Sequence, residues 1–255
     1  MPGLLSGKNV LVMGAANRRS IAWAVAEAIH RHGGAVALTY QAERLKGRVE
    51  RLAAELGDAP MIECDVASDL AVRAAVDDLA AQMPVLHGVV HSIAWAPAED
   101  LQGKFVETSR DGFAAANDIS SYSLIAIARE ARRLMTEGGA VVTMTYAGSW
   151  RVIPNYNVMG PAKASLESSV RYLAADLGPA GIRVNAVSAG PIATVAARTI
   201  KDFSGMLDLL ESHTPLHRNV TSDEVADATV FLLSDLSRAI TGEVVHVDAG
   251  AHAVT

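Results

Sequence analysis

The chain has 255 residues, half of them hydrophobic and 20% charged, with 22 basic against 28 acidic side chains for a formal net charge of −6. That length buries about three-quarters of the unfolded surface, and the single cysteine, Cys64, excludes a disulfide framework or a Cys-rich zinc module. The acidic balance argues against nucleic acid or an anionic membrane as a partner, and no apolar run approaches the ~18 residues of a membrane span. Met1–Lys8 lacks the basic region and apolar run of a signal peptide. A soluble, cytoplasmic protein is expected.

Short β-rich runs alternate with amphipathic ones along the whole chain. Asn9–Met13 predicts a first strand, followed by a helix striped with Ala22, Val25, Ala26 and Ile29. Ala35–Tyr40 predicts the second strand, and Leu45, Val49, Leu52 and Leu56 stripe the helix after it. Met61–Glu63, Gly88–Ile93 and Ala140–Thr145 read as the next three strands. A long helix carrying Ala162, Leu166, Val170, Leu173 and Leu177 leads to Ile182–Val187, and Glu243–Val247 is the last strand. These strands are almost continuously apolar, which suits a parallel sheet covered on both faces. No linker, repeat or low-complexity tract interrupts the alternation. It predicts an α/β fold: one doubly wound, Rossmann-type parallel sheet of about seven strands, in a single domain over 1–255. Ligands bind such sheets beyond the carboxyl ends of the strands.

Strand one runs into Gly14-Ala-Ala-Asn-Arg-Arg-Ser20-Ile21-Ala22. The common G-x-G-x-x-G fingerprint fails, but Gly14 permits a tight turn, and small Ser20 and Ala22 allow close approach. The helix N-terminus beyond them suits a pyrophosphate. Strand two ends at Gln41, where an acidic residue favours NAD and an arginine invites NADP. Gln41 is neither: it can hydrogen-bond a free ribose hydroxyl but does not repel a phosphate, and with no arginine at the end of the strand NADH is favoured over NADPH. Arg44 and Lys46 nearby read as a solvated helix face. Asp65 and Val66 after strand three either read the adenine edge or, for the Asp65 carboxylate, cap the helix beginning near Ser68.

Strand five is followed by Tyr146, Tyr156 and Lys163. Tyr156 and Lys163 are seven apart, about two turns along one helix face. A phenol beside an ammonium can stabilise a developing oxyanion. Pro161 leaves two geometries open. A kinked helix could start at Asn155, or a helix could start near Gly160 with Pro161 in its first turn and Tyr156 on the preceding loop.

The stretches GKNVLVMGAANRRSIAWAVA, TYQAERLKGRVE, CDVASD, HSIAWAP, DISSYS, IPNYNVMGPAKASLESSVRYLAADLGPAGIRVNAVSAGPI and TGEVVHVD resemble the bacterial enoyl-acyl-carrier-protein reductases, a divergent branch of the short-chain dehydrogenases. The resemblance covers about Leu4 to Asp248. It implies a homotetramer that reduces the trans-2 double bond of a fatty acyl thioester on acyl carrier protein. Hydride would pass to the β-carbon and leave an enolate at the thioester oxygen. Tyr156 matches the catalytic tyrosine, Lys163 the lysine that binds the nicotinamide ribose, and Tyr146 a second active-site tyrosine. Gly14, Ser20, Ile21, Gln41, Asp65, Val66, Ile93, Lys163, Ile192 and Thr194 would line the cofactor. Ala96, Tyr146, Tyr156, Met159, Ala196, Phe203 and Met206 would line the acyl chain, with residues 194–210 as a covering loop. On that loop Arg198 and Lys201 are the main positive charges for an acidic carrier. Ala94 stands where many relatives have glycine and brings a methyl close to cofactor and substrate.

Two competing readings remain at this stage. One is a carbonyl or 3-ketoacyl reductase of the same family; the other is a non-catalytic NAD-binding protein. Ordinary short-chain reductases space the pair as Tyr-x-x-x-Lys, whereas the position four after Tyr156 is Gly160. His91 reads as a hydrogen-bonded structural residue, and no cluster stands at metal-ligand spacing. Asp118 and Ser121 are assigned no chemistry.

Overall fold

The computed structural model describes residues 3–195, 205, 207 and 211–254. Seven strands form one parallel sheet: β1 (Asn9–Met13), β2 (Ala35–Tyr40), β3 (Met61–Glu63), β4 (Gly88–His91), β5 (Gly139–Thr145), β6 (Ile182–Ala189) and β7 (Val244–Val247). Their order is β3-β2-β1-β4-β5-β6-β7. The expected strands are all present; the first three match end for end, and the other four differ by one or two residues. The fourth stops at His91, which leaves Ile93 beyond the strand, and the sixth runs on to Ala189.

Alternate side chains of each strand serve opposite faces. Val10, Val12, Val36, Leu38, Val90 and Val142 pack under α1 (Ile21–Arg31), α2 (Glu43–Glu55) and, later in the chain, α7 (Ser222–Leu233). Leu11, Met13, Ala37, Val89, Val141 and Val184 pack under α3 (Asp69–Gln82), α5 (Ser123–Ala131) and α6 (Met159–Leu177). The fourth helix, α4 (Arg110–Asn117), runs into α5 through a π-helical turn over Asp118–Tyr122. A short α8 (Ala251–Val254) ends the described chain.

The caps follow the local sequence. Ser20 caps α1, its hydroxyl accepting from the Trp23 amide at 3.2 Å. Ser68, rather than Asp65, caps α3 by accepting from Ala71. Asp65 instead accepts from the Ala67 amide in its own turn. Thr221 and Glu224 form a reciprocal capping box at α7.

Because the chain leaves β1 toward one side of the sheet and β4 toward the other, a crevice opens between their carboxyl ends. Gly14 lies at its base with φ +93°, and a Cβ there would stand 2.2 Å from the Ser92 carbonyl oxygen. Conformation and space therefore both demand glycine. Gly14→Ala is expected to cost about 2–4 kcal/mol of stability, read as a lowered urea midpoint. An unchanged midpoint would contradict this packing.

Candidate active site

The residues expected at the cofactor all lie past carboxyl ends of strands. Gly14 follows β1, Gln41 follows β2, Asp65 and Val66 follow β3, Ile93 follows β4, and Ile192 and Thr194 follow β6. Ile21 and Ile192 pack against one core layer, Val66 and Ile93 against the other, so they flank the sheet end from both faces. Gln41 is exposed. Lys46 pairs with Glu43 at 3.4 Å, as a solvated helix face would. Among the described residues the Ile21 and Ala22 amides, in the first turn of α1, have no protein acceptor. Such orphan donors at a positive helix end fit an anionic pyrophosphate.

Residues expected at the substrate gather in a separate small apolar cluster. Tyr156, Met159, Ile153, Val158 and Ala162 form it, and Ala96, Leu101 and Tyr146 pack against it. Four of the expected substrate residues thus meet; Ala196, Phe203 and Met206, with most of residues 194–210, lie outside the described residues.

Helix α6 begins at Met159, which places Pro161 in its first turn, where a missing N–H costs no intrahelical bond. Tyr156 is therefore on the preceding turn, and the two-turn face argument does not hold. Asn155 (φ +61°) and Asn157 (φ +35°) hold that turn on either side of the phenol. Asparagine tolerates this left-handed region better than most residues. The Asn157 amide donates to the Gln102 and Gly103 carbonyls, both at 3.3 Å. The Tyr156 ring packs edge-on to Tyr146 with centroids 5.1 Å apart. A Cβ on Gly148 would stand 2.4 Å from the Tyr156 ring, so that glycine makes room for it.

Lys163 is 4% exposed and donates from Nζ to the Met144 carbonyl at 2.8 Å. An ammonium carries three donors, which leaves two for the hydroxyls of a ribose. Burial pushes the ammonium down to about 8, partly opposed by the Glu167 charge. Burial raises the Tyr156 phenol well above its ordinary value, and Tyr146 and Glu167 push it the same way. Tyr146 is raised by burial too, with Arg151 pulling it back. Both phenols keep their protons at neutral pH.

His91 is buried between Thr143 Oγ1 (2.9 Å) and Ser123 Oγ (2.8 Å). Burial, then the Lys163 charge, lowers its imidazole to about 3, so it stays neutral. The sequence reading passed over several residues here. Gly148 and the two asparagines shape the tyrosine turn. Ser120 clamps the loop after β4, accepting from the Trp95 amide at 2.9 Å and donating to the Trp95 carbonyl at 3.0 Å. The Asn-Tyr-Asn triplet was the signal for the turn; nothing local marked Ser120.

A buried ammonium destabilises the protein in proportion to its lowered pKa. The folded state holds fewer protons than the unfolded one between about pH 8 and 10.5, so this cost is present below pH 8 and fades as pH rises. Lys163→Met is expected to raise the unfolding free energy at pH 7 by about 1–2 kcal/mol, after the loss of the Met144 partner. The gain should shrink between pH 8 and 10 in urea titrations. A destabilised variant at pH 7 would contradict the burial cost.

The family model described as enoyl-(acyl carrier protein) reductase matches residues 14–252. The chain is 51% identical, over 98% of both lengths, to an NADH-type enoyl-[acyl-carrier-protein] reductase of Bacillus cereus. It is 48% identical to an NADPH-type reductase of Staphylococcus aureus, again over 98% of both chains. A crystal structure of the Bacillus cereus enoyl-acyl carrier protein reductase, with NADP+ and indole naphthyridinone, superposes with a TM-score of 0.98 over 99% of both chains, at 50% identity. The chain belongs to the enoyl-(acyl carrier protein) reductase family.

Proposed function

We infer that this chain is an NADH-dependent enoyl-acyl-carrier-protein reductase and that Tyr156 and Lys163 carry its chemistry. The observation that supports the reading most is that a buried ammonium, Lys163, held by the Met144 carbonyl, follows seven residues after a buried, protonated phenol, Tyr156, which sits in the apolar cluster. The Ile21 and Ala22 amides would bind the pyrophosphate, and Gln41 the adenosine ribose. Two donors of Lys163 would hold the nicotinamide ribose. Bound NADH supplies the hydride, delivered to the β-carbon of the enoyl thioester.

The residues of this chain manage the charge that results. Negative charge develops on the thioester oxygen, two carbons from the hydride acceptor. Tyr156 donates its O–H hydrogen bond there, in a pocket where water does not compete. The Lys163 ammonium adds a positive field without having to donate to the substrate. Tyr146 walls the Tyr156 ring and limits its rotation. The carbon next to the thioester then takes a proton from the Tyr156 phenol, which regains one from solvent before the next turnover.

The same geometry distinguishes this reaction from carbonyl reduction. A carbonyl reductase must set its phenol on the oxygen of the very carbon that receives hydride. Here the fourth position after Tyr156 is Gly160, and a Cβ there would stand 3.0 Å from the Gly148 carbonyl oxygen. A lysine at that position is disfavoured by space, and the cation instead comes from Lys163. The assembly is proposed as a homotetramer and the location as the cytoplasm. No helix among the described residues is long and apolar enough to cross a membrane. Acyl carrier protein is the proposed macromolecular partner, and the whole chain is read as one domain.

The test follows absorbance at 340 nm with crotonyl and acetoacetyl thioesters of equal chain length on one preparation. Rapid oxidation of NADH by the enoyl substrate, with little by the ketoacyl one, is expected. NADH should exceed NADPH in kcat/KM. Equal or greater ketoacyl activity would favour the carbonyl reductase reading, and no turnover with either the non-catalytic one. A tenfold preference for NADPH, about 1.4 kcal/mol, would move the ribose contact from Gln41 to Arg44 or Lys46.

A further inference from the structure

Lys163 and Glu167 lie four residues apart on α6, one turn along the same face. The end of β5 takes hold of both. The Met144 carbonyl accepts from Lys163 Nζ at 2.8 Å, and the next residue, Thr145, donates from Oγ1 to Glu167 Oε1 at 2.6 Å. The second bond is short and charge-assisted, one of the stronger kinds available to a side chain. Thr145 is buried and Glu167 half-buried. A glutamate on an exposed helix turn ordinarily wanders among rotamers; this one is anchored beside the buried ammonium. The reaction derived above uses neither Glu167 nor Thr145.

We propose that Glu167, anchored by Thr145, is a positioning residue: it is the fixed counter-charge of the Lys163 ammonium and ties α6 to the end of β5 at the reacting pair. The proposal rests on the reading that Lys163 holds the nicotinamide ribose. A buried cation needs a paired charge to stay charged, and Lys163 has no carboxylate in direct contact among the described residues. A carboxylate one turn away supplies the field while leaving the remaining ammonium donors to the ribose. The charge of Glu167 opposes burial at Lys163 and adds to it at Tyr156. One anion thus favours the proton-bearing state of both groups. From β4, His91 faces the same ammonium and stays neutral.

The experiment measures NADH binding by nicotinamide fluorescence from pH 6.5 to 9.5, on the intact chain, for the wild type, Glu167→Gln and Thr145→Val. Glutamine keeps an acceptor for Thr145 while removing the charge. Glu167→Gln should match wild-type Kd within about twofold at pH 6.5. It should bind at least about fivefold more weakly at pH 8.5, with the midpoint lowered by about one pH unit. The basic limb of kcat/KM should move in the same direction, because loss of the anion lets Lys163 lose its proton earlier. Thr145→Val, which only frees the carboxylate, should give a smaller shift of the same sign. A purely structural glutamate would change Kd equally at every pH, and parallel wild-type and Glu167→Gln curves would overturn the proposal. Wild-type protein that binds no NADH at any pH would overturn this proposal together with the reading beneath it.

Discussion

Putting an ammonium where water cannot reach it costs several kcal/mol, and Lys163 is placed in that way at 4% exposure. The surroundings of this one side chain explain much of the neighbouring structure. A backbone carbonyl at the end of β5 accepts a hydrogen bond from it. His91, which hydrogen-bonds two hydroxyls, is kept neutral by burial and then by the Lys163 charge. Tyr146 and Tyr156 pack edge to face, seven and more residues before Lys163 in the chain, in the adjoining apolar cluster. A fold concerned with stability alone would place an apolar residue at position 163. Its burial as a cation makes sense when a ligand with hydroxyl groups and a developing negative charge arrives beside it.

The sheet brings these parts together. Parallel strands aim all their carboxyl ends one way, and the reversal of order between β1 and β4 opens the crevice. Gly14 lets the two strand ends approach at its floor. The proposed sites for the cofactor and the acyl chain then lie side by side at the carboxyl ends of the strands. Nucleotide-side residues pack into the two main core layers, whereas the acyl-side residues form a small cluster of their own. This separation lets the substrate wall vary without disturbing the core.

Sequence made the architecture legible because hydrophobic periodicity and burial are the same physical fact. Valine-rich runs such as Ala140–Thr145 can only be strands covered on both faces. Their ends were less legible: Ile93 continues the apolar run of β4, yet the ladder stops at His91. Tyr156 and Lys163 were identifiable as a pair, but Pro161 left open a kinked helix from Asn155 or a helix starting near Gly160; the left-handed asparagines and the start of α6 at Met159 put Tyr156 on the preceding turn. Glu167 and Ser120 could not be found from sequence, since their significance lies in partners 22 and 25 residues away. An unremarkable serine or glutamate acquires a role only when the fold chooses its neighbours.

The state of the Lys163 ammonium is the central claim, and it can be observed without substrate or cofactor. Nitrogen-detected NMR of 15N-lysine-labelled protein, with Lys163→Met to assign the signal, follows Nζ directly as pH is raised. The account predicts a titration midpoint near pH 8. A midpoint at the ordinary lysine value, near 10.5, would contradict it, because it would mean that the ammonium is solvated and that the site does not hold a buried charge.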